Sequence, residues 1–86
     1  MRNLMQPIVT SGGTSRDQFI EARIMARVAL AEAMRALGET TPNGRDYIAN
    51  PTLYERDKKI YQRRFEALLE IYNDLFDEAA ELQKEA

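Results

Sequence analysis

From Tyr61 to Leu82 the chain carries apolar or aromatic side chains at 61, 65, 68, 72, 75, 79 and 82, in alternating steps of four and three without a break. Only an α-helix brings those positions onto one face; a strand would divide them between two. A seam held over three heptads is a surface made for another helix. Leu69 and Phe76 widen one flank of it, and Ile60 and Ile71 widen the other. The helix has two candidate starts: Pro51 as first residue after an Asn50 cap, or a Thr52–Glu55 capping box. Nothing interrupts it before about Gln83, so a helix over about 52–83 is expected, some 45 Å long.

An earlier helix is expected over about 15–38. Ser15 and Gln18 have capping-box spacing, and Asp17 suits the positive end of the helix dipole. The run from Arg16 to Leu37 is rich in Ala, Met, Leu, Arg and Glu, all good helix formers. Gly38 stands where a C′ glycine would end it. This helix has two apolar stripes. Ala22, Ala26, Ala29 and Ala33 form a small-residue stripe edged by Phe19, Leu30 and Leu37; Ile20, Ile24, Val28 and Ala31 form the second. Arg16, Arg23 and Arg27 fall between them, with Glu21 and Glu32 on the far side. A monomer's surface helix needs one stripe, so this one is expected to meet more than one neighbour. The alanine seam would allow close approach of a second helix.

Residues 39–50 connect the two helices. Pro42-Asn43-Gly44 is a turn signal, with Pro setting φ and Asn or Gly accepting φ > 0. Twelve residues exceed a usual helix–helix loop, so the segment should fold on itself, anchored by Tyr47 and Ile48. Residues 1–14, punctuated by Pro7 and Gly12-Gly13, sustain no helical period. They read as a flexible arm, or as a strap that lays Leu4, Met5, Ile8 and Val9 across a partner or neighbouring subunit. Residues 15–86 form the single domain.

The expected fold is therefore all-α: a two-helix antiparallel hairpin. A hairpin alone has one contact surface, and 86 residues are near the lower limit for an independent core. Both helices carry more apolar surface than one partner can cover. Assembly of hairpins into a homo-oligomeric helical bundle, with coiled-coil packing, is the expected solution. A three-helix monomer completed by the arm is the alternative.

Charge is segregated along the second helix. Residues 53–65 hold five basic and two acidic side chains, whereas residues 66–86 hold seven acidic and one basic; the whole chain is -2. Basic-first order opposes the helix dipole. Two such helices lying antiparallel would set each basic half beside an acidic half. A second reading makes Asp74, Asp77, Glu78 and Glu81 an acidic face for a basic protein partner; a third is a solvated face of i,i+4 pairs.

His and Cys are both absent. That excludes imidazole acid–base chemistry, thiolate chemistry and disulfides, along with nearly all zinc, copper and iron sites. The glycines lack P-loop spacing, and the acidic end lacks the ligand pattern of a calcium loop. No catalytic residue, cofactor or metal is expected, and the chain is read as a non-enzyme. Two clusters are candidates for binding an anionic ligand, nucleotide or nucleic acid. One is Lys58, Lys59, Arg63 and Arg64 beside Tyr54 and Tyr61. The other is Arg23 and Arg27, one turn apart, which would either pair with acids of the second helix or line an anion pocket in an oligomer. No apolar run approaches the length of a membrane span, and residues 1–14 hold no leader-like core, so a cytoplasmic location without membrane contact is expected.

The segment Asn43-Gly44-Arg45-Asp46-Tyr47, between a helix and a longer helix ending in acidic residues, resembles small, mostly uncharacterised proteins of bacterial prophages and phages. The resemblance covers about residues 29–80, and this chain has Ile48 where such proteins often continue with a second aromatic. It implies an accessory protein working in a bacterial host, a class that includes inhibitors of host defence and host-takeover factors. A host protein is then the implied partner, with Arg45 and Tyr47 as a candidate contact at the loop tip. A structural or scaffold component of a virion or other complex is the remaining reading.

Overall fold

The computed structural model describes residues 2–84; Met1, Glu85 and Ala86 lie outside the described residues. Two α-helices, α1 (Arg16–Leu37) and α2 (Pro51–Lys84), are joined by two short 3₁₀ turns, Gly38–Thr40 and Gly44–Tyr47. No strand occurs among the described residues.

The starts of both helices follow from their caps. Ser15 Oγ accepts from the Gln18 N–H at 3.1 Å, and Gln18 Oε1 accepts from the Ser15 N–H at 2.9 Å, a complete capping box. Asn50 Oδ1 accepts from the Leu53 N–H at 3.1 Å, which settles the start of α2 at Pro51 instead of Thr52. The end of α1 differs from expectation. Gly38 keeps a right-handed conformation (φ -55°), and the helix tightens into a 3₁₀ turn. Two hydroxyls take the place of a left-handed glycine cap: Thr40 Oγ1 donates to the Leu37 carbonyl at 2.7 Å and Thr41 Oγ1 to the Gly38 carbonyl at 2.6 Å. Pro42 then bars further winding.

The Pro42-Asn43-Gly44 turn also forms without positive φ. Asn43 is extended and its side chain caps the second 3₁₀ turn, accepting from the Arg45 N–H at 3.0 Å.

The helices are antiparallel in a register that two contacts define: Arg23 meets Glu78, and Arg27 meets Tyr72. Carried along both helices, that register sets Leu37 opposite about residue 63 and leaves the first three turns of α2 beyond the end of α1. The connection folds back over this overhang. The Tyr47 hydroxyl donates to Asp57 Oδ2 at 2.8 Å, and the Tyr47 ring lies 5.3 Å from that of Tyr54. Tyr47 is the expected anchor; Ile48 is not, being 81% exposed.

The line of α1 that faces α2 runs between its two apolar stripes. Phe19, Ile20, Arg23, Ala26, Arg27, Leu30, Met34 and Leu37 are buried or half-buried. Ile24, Val28 and Ala31 are left exposed on one side, and Ala22, Ala29 and Ala33 on the other. The alanine seam is therefore not the seat of α2. On α2 the heptad positions from Tyr61 to Ala79 are half-buried and Leu82 is buried.

Ile20 and Leu82 are the only buried apolar residues among those described, and no side chain there is fully enclosed. The molecule measures 63 × 26 × 18 Å with a radius of gyration of 18.3 Å. A compact chain of this length would have about 12 Å. Its accessible surface is 6675 Å², against about 5,200 Å² for a folded monomer of this mass. Replacing the cap, Ser15→Ala, should lower unfolding free energy by about 1 kcal/mol in urea titration; an unchanged midpoint would show that the box contributes nothing.

Candidate interaction surface

The end of the hairpin formed by the start of α1 and the end of α2 is organised by one buried ion pair. Arg23 Nε donates to Glu78 Oε1 at 2.8 Å, and the two side chains are 10% and 6% exposed. Burial of two charges is costly unless further hydrogen bonds accompany the pair, and here each guanidinium nitrogen and each carboxylate oxygen has a contact. Arg23 Nη1 donates to the Phe19 carbonyl at 3.1 Å, and Nη2 lies 3.9 Å from Met5 Sδ. Glu78 Oε2 accepts from the Met5 N–H at 2.8 Å. The pair thus ties α1, α2 and the N-terminal segment together.

That segment crosses onto the chain's own α2. Arg2 forks across two acids, with Nε 2.8 Å from Asp74 Oδ1 and Nη1 2.6 Å from Asp77 Oδ2. These two carboxylates raise the pKa of the Arg2 guanidinium further above its ordinary value. Leu4, Pro7 and Val9 are half-buried in a recess shared with Leu82. Met5 and Ile8 remain 71% and 82% exposed.

The four acids read as a partner face are thus occupied within the chain. Asp74 and Asp77 hold Arg2, Glu78 is buried on Arg23, and Glu81 pairs with Lys84 at 3.1 Å. Arg23 takes the ion-pair alternative. Arg27 is engaged too: its Nε donates to the Tyr72 carbonyl at 3.0 Å, and its guanidinium lies 3.8 Å from the Tyr72 ring centre and 4.9 Å from that of Phe76. Neither arginine faces an anion pocket in this chain.

In the basic patch Lys58 pairs with Glu55 at 2.9 Å and sits over the Tyr54 ring. Lys59, Arg63 and Arg64 are exposed. At the loop tip Arg45 is exposed, whereas Tyr47 turns inward to Asp57. The Asn43–Tyr47 motif therefore has a complete structural role: a capped turn and a ring anchored on α2.

Apart from these exposed charges, the hairpin leaves a large apolar side uncovered. Beside the Arg27–Tyr72 stack, Ile24, Val28 and Ala31 share a shallow concavity with those two residues. Ile24 is 49% exposed and Val28 60%. Across Tyr72 the same side continues to Phe76, 54% exposed, and Leu69, 38% exposed. From Leu69 it passes into an open groove lined by Phe65, Tyr61, Tyr54 and Pro42. One side of the hairpin is thus apolar for most of its length, with aromatic rings along its middle. The two-stripe pattern of α1 and the wide flank of the α2 seam were its signals in the sequence. The stacking of Arg27 on Tyr72 and the reach of Arg2 had none, because each depends on the register between segments far apart in the chain.

No group of three or more Asp or Glu among the described residues is placed to hold a metal ion. No helix of the described chain is long and apolar enough to cross a membrane. No protein-family model matches the chain, and neither does any characterised protein or solved structure.

Two outcomes test this geometry. Glu78→Ala strands a buried guanidinium and should cost about 3–5 kcal/mol in chemical unfolding. The paired change Arg23→Met with Glu78→Leu should recover most of that, and a loss as large as in the single variant would contradict the role given to the pair. Tyr47, donating to Asp57 and near other negative groups, has its pKa raised above the ordinary 10.0. The stabilisation from that proton is present below pH 10 and is lost as pH rises through the raised value. In phenolate difference titration against Tyr47→Phe, Asp57→Asn should bring the Tyr47 titration down; no movement would contradict the assigned bond.

Proposed function

We propose that this chain is a non-enzymatic protein-binding module, working as an assembly of helical hairpins. The observation that carries the reading is the exposed apolar side running from Ile24 and Val28 across Tyr72 to Phe76 and Leu69, in a chain with only two buried apolar residues among those described. Contiguous apolar surface of this kind marks association in soluble proteins. Aromatic and arginine side chains stacked at its middle are the residue types enriched in interface cores. Arg23 and Arg27 are committed to contacts inside the hairpin.

A role as an accessory protein that covers a surface of another protein fits this description, and the phage-type resemblance of the Asn43–Tyr47 turn makes a bacterial host protein the partner to seek. Exposed Arg45, with Lys59, Arg63 and Arg64, offers basic charge to such a target. An inhibitor is one form of that role. Binding of nucleotides or nucleic acid has support only from the last three of these residues.

Sedimentation velocity at micromolar concentration tests the assembly. A species at a multiple of 9.9 kDa is the expected result. A folded, fully helical 9.9 kDa monomer at every concentration would overturn the reading.

A further inference from the structure

We propose that the side formed by Ile24, Val28, Tyr72, Phe76 and Leu69 takes a second copy of this chain, stacked so that the two α2 helices run antiparallel across a two-fold axis. The proposal rests on the assembly reading above and goes beyond it by naming the face, the occupant and the direction. Three observations select a second copy. The first is area. The chain exposes about 1,500 Å² more than a monomer of its mass should, which exceeds the roughly 800 Å² per partner of a standard interface. The second is position. The apolar side runs along α2 from Phe76 through Leu69 and Phe65 to Tyr61 and is centred about residue 68, near the middle of that helix, so a two-fold axis at that level lays the patch on itself. An isologous contact requires such self-complementarity.

The third is charge. Helical spacing places Lys59, Glu66, Glu70 and Asp77 in a strip along the outer flank of Leu69 and Phe76. Parallel stacking of α2 would set each of these charges against its own copy. Antiparallel stacking about the middle of α2 brings Lys59 to Asp77 of the other copy. Arg2 already pairs with that acid, but Glu70 and Glu81 keep the neighbourhood acidic. The basic half of each helix then lies beside the acidic half of its mate. One like-charge contact remains near the axis, between Glu66 and Glu70. It disfavours association until one of them is reversed.

Sedimentation equilibrium on the full chain, together with zero-length amine–carboxylate cross-linking of the unaltered protein, tests this. Val28→Asp and Phe76→Asp should each raise the dissociation constant by about 100-fold or more, since each buries a charge. Ile48→Asp, in the exposed connection, should leave it unchanged. Glu70→Lys should tighten it. Cross-linking should join Lys59 to Asp77 or Glu81, sites about 27–33 Å apart along one helix, so that such a bond can form only between copies. If the chain associates but Val28→Asp and Phe76→Asp do not weaken it, this face is wrong while the assembly reading stands. Dimers without the Lys59 cross-link would overturn the antiparallel arrangement. A monomeric wild type would overturn both proposals together. Should the aspartate variants lose helicity, the cross-links on the unaltered chain still decide.

Discussion

The buried pair of Arg23 and Glu78 is the contact on which the rest of this hairpin depends. It fixes the register of α1 against α2, and the carboxylate's second oxygen fixes the N-terminal segment through the Met5 N–H. From that register follow the stacking of Arg27 on Tyr72 one turn further on and the overhang of α2 beyond Leu37. The folding of the connection back onto that overhang follows in turn. An apolar pair at the same place would pack as well or better in energy, but it would not choose one register among several similar ones.

The pair also explains how two helices with so little core are held. Its cost in desolvation is offset by hydrogen bonds to the Phe19 carbonyl and from the Met5 N–H, and the arm adds the Arg2 fork on Asp74 and Asp77. These are mostly polar fastenings at one end. At the other, Tyr47 and Tyr54 close the loop on α2. Between the two ends the hairpin is a thin layer, apolar on a side that nothing within the chain covers. Association is the physical consequence of that thinness in the account proposed here, and binding rather than chemistry is the function it suits.

Much of this layer was legible in the sequence. The heptad run of α2, the Ser15–Gln18 box, the Asn50–Pro51 start and the anchoring role of Tyr47 follow from local spacing, where neighbouring residues decide the outcome. The two stripes of α1 were readable as well, but not which line between them would meet α2. That depended on Arg23 and Arg27 finding partners 55 and 45 residues away. Gly38 misled because glycine permits a left-handed cap without requiring one. Right-handed Gly38 still turns its N–H back to the last-turn carbonyls, and the Thr40 and Thr41 hydroxyls take the carbonyls of Leu37 and Gly38. The acidic face was a fair reading of composition; its engagement by Arg2, Arg23 and Lys84 is a property of tertiary placement.

The concentration dependence of thermal unfolding tests most directly whether association completes this fold. An assembly whose subunits share a core is stabilised by mass action, so its midpoint must climb with protein concentration. The account predicts a midpoint several degrees higher at about 100 μM than at about 1 μM. A single cooperative transition at the same temperature across that range would contradict it.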